Sequence, residues 1–334
     1  MVTKADVAKR AGVSTATVSH VLNNSKYVSP QLMQRVQEAV EALNYRPNII
    51  ARSLATKKSK HVGILVNDIT NPYYAEIAHG MEEVAHKNGY LLSFFFSEGN
   101  SEEQFRSILQ RSLDGLFFVT VNVPFSDSQI RTLCDTGVAI VNGSDTFGSH
   151  IWFDYTSALE SAIRYLYDLG HRRIGYLSGQ NANFNSLGEQ RLQIYQKALL
   201  KQGLDFDEQL VVYGRYPYHT TCEAGYNAMD RLLSRNVRPT AVLTTNDLMA
   251  FGAFKAIKEA QLTIPGDISV IGCDDIFLAE YITPGLTTLR VPKKEMGRQA
   301  MQLILSELNA GENSAIKLSA SLVIRESTGS APRI

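Results

Sequence analysis

The first residues of the chain place apolar side chains at helical spacing in two short segments. The apolar positions are Val7, Ala8, Ala11, Val18, Val21 and Leu22. Gly12 lies between the segments, and Ser14 stands where the second helix needs an N-cap side chain. Two short helices joined by a Gly-containing turn form a helix-turn-helix, whose second helix enters the major groove of DNA. We therefore expect this segment to bind DNA.

A third helix and a short hinge are predicted next. Ser29 is expected to cap the third helix and Pro30 to occupy its first position. Its core face is predicted at Leu32, Val36, Val40 and Leu43. After a break at Pro47, residues 48–56 have the length of one or two helical turns, with Asn48 as a possible cap, and residues 57–60 form a basic linker. Because so short a helix is marginal alone, it needs a partner surface, either its twin in a dimer or bound DNA.

From His61 onward, apolar β runs alternate with amphipathic helical patterns. The predicted strands are Val62–Val66, Leu91–Phe96, Gly115–Val121, Val138–Val141, Ile151–Phe153, Ile174–Leu177, Leu210–Tyr213, Ala241–Thr244 and Ile268–Ile271. Predicted helices include Tyr74–Lys87, Ser157–Leu169, Glu189–Lys201, Ala224–Leu233 and Leu248–Ala260. This alternation is typical of parallel sheets covered on both faces. Since the strands are too numerous for one ordinary sheet, we expect two α/β lobes with a cleft at the carboxyl ends of their strands.

Charge is distributed unevenly along a chain whose formal net charge is zero. Through His61, ten Lys and Arg residues stand against three Asp and Glu residues, so a basic head precedes an acidic body. The chain has no apolar leader and no run of eighteen apolar residues, so we expect a cytoplasmic protein with no membrane contact. Its three cysteines are isolated, which favours reduced thiols and no metal site. No cofactor is expected.

The chain resembles the lactose/galactose repressor family of bacterial transcription regulators. The head carries Asp6-Val7-Ala8, Ala11-Gly12-Val13-Ser14 and Thr17-Val18-Ser19, followed by Tyr45-Arg46-Pro47-Asn48 and Ala51-Arg52-Ser53-Leu54. The body carries Asn71-Pro72-Tyr73-Tyr74, Leu169-Gly170-His171-Arg172-Arg173-Ile174, Arg238-Pro239-Thr240-Ala241-Val242, Asn246-Asp247-Leu248-Met249-Ala250, Ile264-Pro265, Gly272-Cys273-Asp274-Asp275 and Leu286-Thr287-Thr288-Leu289. These motifs follow the family's order along the whole chain. The resemblance implies a homodimer, a body like a periplasmic sugar-binding protein, and DNA binding controlled by a small-molecule effector.

The resemblance also implies the domain organisation. Residues 1–47 are expected to form the helix-turn-helix domain, and residues 48–60 the hinge helix and linker. Residues 61–334 are expected to form the bilobed effector-binding and dimerisation domain. In that family each lobe is completed by later chain. Lobe 1 is thus expected at about 61–158 and 292–320, and lobe 2 at about 159–291 and 321–334.

Candidate DNA contacts lie on the second helix. Thr15, Ala16 and His20 face away from the apolar stripe, and the resemblance places base readers at these positions. Thr15 can use its hydroxyl or methyl group, Ala16 only an apolar contact, and His20 can donate to guanine, although His20 touching only phosphate is the alternative. The expected phosphate contacts are Ser14, Thr17 and Asn23.

Leu54 in the hinge has two interpretations. An exposed leucine in a short basic segment can bury itself in a dimer contact. The resemblance instead implies a wedge, in which paired hinge helices enter the minor groove and each inserts this leucine at a central step. Pyrimidine–purine steps unstack most easily, so a central CG is favoured. A symmetric dimer then predicts a palindromic operator in double-stranded DNA.

Candidate effector contacts follow the ends of predicted strands in the body. Tyr73, Tyr74, Tyr216 and Tyr218 offer stacking faces, while Arg191, Asn246 and Asp274 offer donors and acceptors suited to vicinal hydroxyls. The resemblance places Tyr74, Arg191, Tyr216, Asn246 and Asp274 at effector-contact positions. Asn142 is a weaker candidate after another strand. Alternatively, Asn246 or Asp247 only caps the following helix, and Tyr73 and Tyr218 are core or dimer-face residues.

Two departures from the family pattern bear on ligand and partner. Family members that bind purines carry a basic or hydroxyl group where this chain has Asn185 and Leu187, which favours a sugar or sugar derivative. Gln302 stands where the catabolite-control branch has a basic residue for its carrier protein, so that partner is not expected.

The chain also lacks nucleotide-binding, phosphate-loop, hydrolase-elbow and zinc-protease motifs. We therefore expect a DNA-binding transcriptional regulator, with repression the favoured activity, and no enzyme. The sequence does not distinguish a repressor from an activator, or an inducer from a corepressor.

Overall fold

The computed structural model describes residues 2–23, 26–46, 58–97, 101–119, 125–143, 147–179, 190–214 and 220–333. It divides into two compact units, Met1–Ser59 and Lys60–Ile334. Leu54 and nearly all of the predicted hinge lie outside the described residues, as do Asn185, Leu187, Tyr216, Tyr218 and the side chain of Asn23.

The described residues of the first unit form three helices around a small apolar core. They are α1 (Lys4–Ala11), α2 (Thr15–Asn23) and α3 (Pro30–Ala42). The buried residues of this core are Val7, Ala8, Ala11, Val18, Val36, Ala39 and Tyr45. The two predicted apolar stripes therefore face each other, with Val21, Leu22, Val40 and Leu43 packed at the margin.

Capping side chains set the ends of these short helices. Thr3 and Asp6 form a reciprocal capping box at the start of α1, which ends where Gly12 adopts a φ of 62°. Ser14 Oγ accepts a hydrogen bond from the Thr17 amide at 3.0 Å, as predicted for the start of α2. The prediction for Ser29 was wrong in its chemistry, because Ser29 occupies the N-cap position of α3 but its side chain makes no capping bond.

The second unit contains two six-stranded sheets with helices between the strands. Its strands are β1 (His61–Val66), β2 (Leu91–Phe96), β3 (Gly115–Phe118), β4 (Ala139–Asn142), β5 (Ser149–Asp154), β6 (Ile174–Leu177), β7 (Val211–Val212), β8 (Ala241–Thr244), β9 (Ser269–Asp274), β10 (Thr287–Arg290), β11 (Ala315–Ser319) and β12 (Ser321–Val323). Its helices are α4 (Pro72–Lys87), α5 (Ser101–Gln110), α6 (Asp127–Asp135), α7 (Thr156–Asp168), α8 (Gln190–Lys201), α9 (Cys222–Leu233), α10 (Asp247–Glu259), α11 (Leu278–Tyr281) and α12 (Lys293–Ala310).

The two sheets define two lobes that share one chain path. The first sheet has the strand order β11-β5-β4-β3-β1-β2, and all of its strands are parallel. The second has the order β12-β10-β9-β8-β6-β7, with only β12 antiparallel to its neighbour. The chain leaves the second sheet after β10, adds α12 and β11 to the first lobe, and returns as β12. The predicted fold class is confirmed.

The last three strands were absent from the predicted set for a physical reason. Strand β11 has alternating exposed and half-buried residues, and β12 is short and half-exposed. Strand β10 begins with two buried threonines, Thr287 and Thr288, instead of an apolar run. None of these segments shows the continuous hydrophobicity by which the central strands were recognised.

Glycines allow a close helix contact in lobe 1. A Cβ atom at Gly297 in α12 would overlap the backbone carbonyl oxygen of Ile77 in α4, and one at Gly80 would overlap that of Lys294. The two backbones can therefore approach only because both side chains are absent. This contact fixes α12, which the chain adds to lobe 1 after completing most of lobe 2.

We predict that Gly297→Ala destabilises the protein by about 1–3 kcal/mol, because the added methyl group forces α4 and α12 apart. Urea unfolding of the full chain, followed by circular dichroism, measures the change. Gln302→Ala, at an exposed position of the same helix, serves as the control and should unfold near the wild-type midpoint. Equal midpoints for the two variants would contradict the close-packing explanation.

Candidate DNA-binding head and effector site

Most of the predicted DNA contacts lie from the N-cap of α2 to the middle of this helix. Ser14, Thr15 and Ala16 are exposed and Thr17 and His20 are half-buried. Val18 is fully buried against the other two helices and so fixes the rotation of α2. The Ser14 and Thr17 hydroxyls also lie 2.9 Å apart and form a hydrogen bond.

A contact between α1 and α2 strengthens this arrangement. Lys4 Nζ donates to Ser19 Oγ at 2.7 Å, which joins the start of α1 to the middle of α2. The last turn of α1 carries Lys9 and Arg10, both exposed. A helix with small exposed side chains at its start, flanked by cations, has the shape and charge to enter a DNA groove.

In the body, the first turn of α4 positions two predicted aromatic contacts. Asn71 caps this helix, its Oδ1 accepting from the Tyr73 amide at 3.0 Å. The Tyr73 and Tyr74 rings then meet edge to face, with centroids 5.1 Å apart. Burial raises the pKa of both hydroxyls, and the nearby Asp274 carboxylate raises them further.

Arg191 lies in lobe 2 at the start of α8. Its Nη1 donates to the Thr245 carbonyl oxygen at 2.8 Å and lies 3.6 Å from Cys273 Sγ. Its guanidinium carbon lies 5.1 Å from the centroid of the Tyr155 ring, a cation–π contact. Tyr155 was not among the predicted site residues. It directly follows β5, so the rule that selected the other strand-end residues could also have found it.

Asp274 is the last residue of β9 and is buried. Its φ is 109° and that of Asp275 is 51°, so two successive non-glycine residues adopt the left-handed region. Burial raises the pKa of the Asp274 carboxyl to about 7, against the opposing effect of Arg191 and Lys293. This group is therefore poised between its neutral and ionised forms near neutral pH.

The structure brings four of the predicted effector contacts into one electrostatic cluster. The charges of Asp274 and Arg191 shift the pKa of both Tyr73 and Tyr74, and Tyr155 also raises that of Tyr73, so these side chains lie within electrostatic reach of one another. Tyr73 and Tyr74 come from lobe 1, whereas Arg191 and Asp274 come from lobe 2. An aromatic pair, a planar cation and a carboxylate thus converge from both lobes, as a site for a small polar ligand requires.

Two further candidates are engaged in structural hydrogen bonds. Asn246 caps α10, its Oδ1 accepting from the Met249 amide and its Nδ2 donating to the Thr220 carbonyl oxygen, each at 2.9 Å. Of Asn246 and Asp247, it is therefore Asn246 that caps the following helix. Asn142 Nδ2 donates to the Phe147 carbonyl oxygen at 2.5 Å, which ties β4 to the following loop.

No group of His, Cys, Asp and Glu side chains that could hold a metal ion occurs among the described residues. Across the same part of the chain, no helix has both the length and the apolar character needed to cross a membrane.

Comparison with known proteins follows the same division of the chain. Residues 3–48 match the family described as bacterial regulatory proteins, lacI family, and residues 163–328 match a periplasmic binding protein-like domain. The chain is 35% identical over 314 residues to the ribose operon repressor of Escherichia coli K12, covering 92% of this chain and 93% of that protein. It is 36% identical over 349 residues to the transcriptional repressor PurR of Edwardsiella ictaluri, covering 100% and 99%.

Solved structures show the same similarity. The lac repressor dimer bound to operator and the anti-inducer ONPF gives a TM-score of 0.82 at 26% identity, covering 98% of this chain and 99% of that one. A regulator from Enterococcus faecium with bound ribose gives 0.71 at 27% identity, covering 81% and 99%.

Fold, head and cleft together define an effector-controlled, DNA-binding transcriptional repressor, a class of protein that is not enzymatic. The chain belongs to the LacI family of bacterial regulatory proteins.

We predict that the pH dependence of stability reports the buried Asp274 carboxyl. Since its pKa rises from 3.8 when unfolded to about 7 in the fold, the folded state binds this proton more tightly, and the stability it contributes is lost as pH rises through that window. Asp274→Asn removes the titration. Its stability relative to wild type should therefore increase from about pH 5 to about pH 8, by on the order of a few kcal/mol.

Asp275→Asn is the matched control for this pH series, measured by thermal unfolding. Burial opposes ionisation of Asp275, but Arg290 and Arg325 outweigh it and hold the pKa of this carboxyl below its ordinary value. Asp275 is thus ionised throughout the series, and its variant should show a constant difference from wild type. A constant difference for Asp274→Asn as well would contradict the raised pKa.

Proposed function

We propose that this protein is a cytoplasmic homodimer that represses transcription from a palindromic operator and responds to a sugar or sugar derivative bound between its lobes. The observation that carries the proposal is the convergence of Tyr73 and Tyr74 with Arg191 and Asp274. We assign residues 1–47 to DNA binding, 48–60 to the hinge, and 61–334 to effector binding and dimerisation.

The chemistry of the cleft supports a polyhydroxylated ligand. The Arg191 guanidinium presents a planar fork to vicinal hydroxyls, and an ionised Asp274 accepts from two of them. Tyrosine rings offer flat apolar faces to the C–H side of a sugar ring. Solved relatives with bound ribose and cellobiose support the same ligand class.

A purine base is the second candidate ligand, favoured by the likeness to PurR over the full chain. Against it stands the sequence near Arg191, where Asn185 and Leu187 replace the basic or hydroxyl group of the purine-binding pattern. We therefore rank a sugar first and keep purines as a tested alternative.

Apolar side chains on two exposed segments support a second copy of this chain as partner. Phe94 and Phe96 lie on β2, an edge strand of the first sheet, and are 37% and 43% exposed. Phe277 and Tyr281 are more exposed still, in and beside α11 of lobe 2. Exposed aromatic clusters of this kind mark protein interfaces, and the lac repressor structure to which the chain is similar is a dimer.

For DNA binding we assign base contacts to Thr15, Ala16 and His20 and phosphate contacts to Ser14, Thr17 and Asn23. The exposure of the first turn of α2 supports these roles. Leu54 is assigned the minor-groove wedge of the hinge.

We predict that Leu54→Ala weakens binding to the specific operator by roughly tenfold or more, and binding to unrelated DNA much less. The reason is that the leucine inserts only where a deformable central step makes unstacking inexpensive. Fluorescence anisotropy with both DNAs at one salt concentration measures the difference, with Ser53→Ala as the neighbouring control. Equal losses on both DNAs would count against the wedge.

The ligand proposal is tested by thermal unfolding of the purified protein with D-ribose, other monosaccharides, cellobiose and purine bases. We predict that a sugar raises the unfolding temperature and changes operator affinity. Asp274→Ala should bind operator as wild type does without ligand but lose the sugar response. Asp168→Ala, at an exposed position ending α7, should keep it.

Three results would overturn parts of this proposal. Stabilisation by a purine base and by no sugar would show that the site binds purines instead of sugars. A sugar response that survives in Asp274→Ala would move the site away from this carboxylate. Turnover of any compound in the panel would reopen the enzyme class.

A further inference from the structure

The turn after β9 is held by side chains from several elements. Asp247 Oδ2 accepts from the Ile276 amide at 2.8 Å, and Asp247 Oδ1 accepts from the Thr288 hydroxyl at 2.5 Å. The Asp275 carboxylate accepts from Arg325 at 2.7 Å and from Arg290 at 2.5 Å. These contacts fix the flanks of the turn and leave the carbonyl groups of Asp274 and Asp275 to another donor.

Lys293 supplies that donor. Its side chain is 4% exposed, and its Nζ donates to the Asp274 carbonyl oxygen at 2.5 Å and to the Asp275 carbonyl oxygen at 2.7 Å. The same ammonium group lies 3.6 Å from Glu76 Oε2. A lysine ammonium has three N–H donors, so one buried cation reaches two strained backbone carbonyls and one carboxylate.

Both Lys293, the first residue of α12, and Glu76 belong to lobe 1, whereas Asp274 and Asp275 belong to lobe 2. Glu76 lies on α4, two residues after Tyr74. Among the described residues, Glu76 Oε1 is buried without a hydrogen-bond partner, so Lys293 is the principal group that offsets the charge of this carboxylate. The cation therefore joins the turn that carries Asp274 to the helix that carries the two tyrosines.

We propose that Lys293 is a positioning residue for effector binding. It fixes the turn that presents the Asp274 carboxylate, and through Glu76 it holds that turn in register with Tyr73 and Tyr74 on the opposite lobe. Lys293 thereby fixes the position of Asp274 relative to Tyr73 and Tyr74, the residues with which the two lobes contact a ligand. This inference rests on the proposed function to the extent that the ligand at Asp274 is the effector.

The test begins without any ligand, by hydrogen–deuterium exchange on the full chain. Lys293→Met keeps the length of the side chain but removes all three donors. Exchange should become at least tenfold faster both in residues 274–278 and in residues 72–78. The neighbouring Lys294→Met, which removes an exposed ammonium group, should leave both segments unchanged. Wild-type exchange in Lys293→Met, or loss of protection in residues 274–278 alone, would overturn the proposal.

A second measurement uses the sugar that stabilises the wild-type protein most. Its affinity for Lys293→Met should fall at least tenfold. The midpoint of its pH dependence should also rise, because this ammonium group lowers the pKa of Asp274, whereas a purely structural defect would weaken binding without moving the midpoint. An unmoved midpoint would contradict the positioning role. If no sugar binds wild type, the sugar assignment fails, and hydrogen exchange alone decides on Lys293.

Glu76→Gln keeps the inference testable should Lys293→Met fold poorly. It leaves Lys293 and its two hydrogen bonds to carbonyl groups in place and removes only the negative charge of the Glu76 side chain. Residues 274–278 should then stay protected while residues 72–78 exchange faster. Unchanged exchange in residues 72–78 would show that the contact between Lys293 and Glu76 does not hold α4, and would contradict that part of the proposal.

Discussion

The body of this protein depends on the backbone turn that ends strand β9. At that point a buried carboxylate, Asp274, is presented toward the opposite lobe by two successive residues in the left-handed region. Such a conformation costs on the order of 1–3 kcal/mol per residue and persists only where its surroundings fix it. Here the surroundings are polar side chains: Asp247, Lys293 and Arg325 all hydrogen-bond to the turn.

The crossings of the chain between its sheets bring two cations to this turn. Lys293 begins α12, the helix that the chain contributes to lobe 1 after leaving β10, and Arg325 follows β12, where the chain has returned to lobe 2. The crossover therefore brings cations from both lobes to the carboxylate-bearing turn.

Much of this architecture could be predicted because its signals are local. Helical spacing of Val7, Ala11 and Val18 defined the head, and continuous apolar runs defined the central strands. Strand-end position placed Tyr73, Tyr74, Arg191 and Asp274 in one set of candidates, and in the fold these side chains influence one another electrostatically. The capping bond expected of Ser29 is absent because a serine at the right position can still turn its hydroxyl elsewhere.

What the sequence did not reveal depends on long-range contacts. Lys293 lies on a helix with ordinary helical patterning, and nothing local indicates that its ammonium group is buried against carbonyls far away in the chain. Tyr155 directly follows β5 and so was within reach of the strand-end rule, but its contact with Arg191 depends on the fold. A polar residue such as Thr288 would be expected at the surface from the sequence alone, and only the fold shows that a sheet buries it.

The central claim, that a dimer of this chain reads DNA through its heads, is tested most directly by incubating the purified protein with fragments of its own genome and sequencing those it retains. We expect enrichment of a palindrome with a central CG. The amount of this DNA that is retained should differ between incubations with and without the stabilising sugar. Retention of fragments without a shared palindrome in either condition would contradict it.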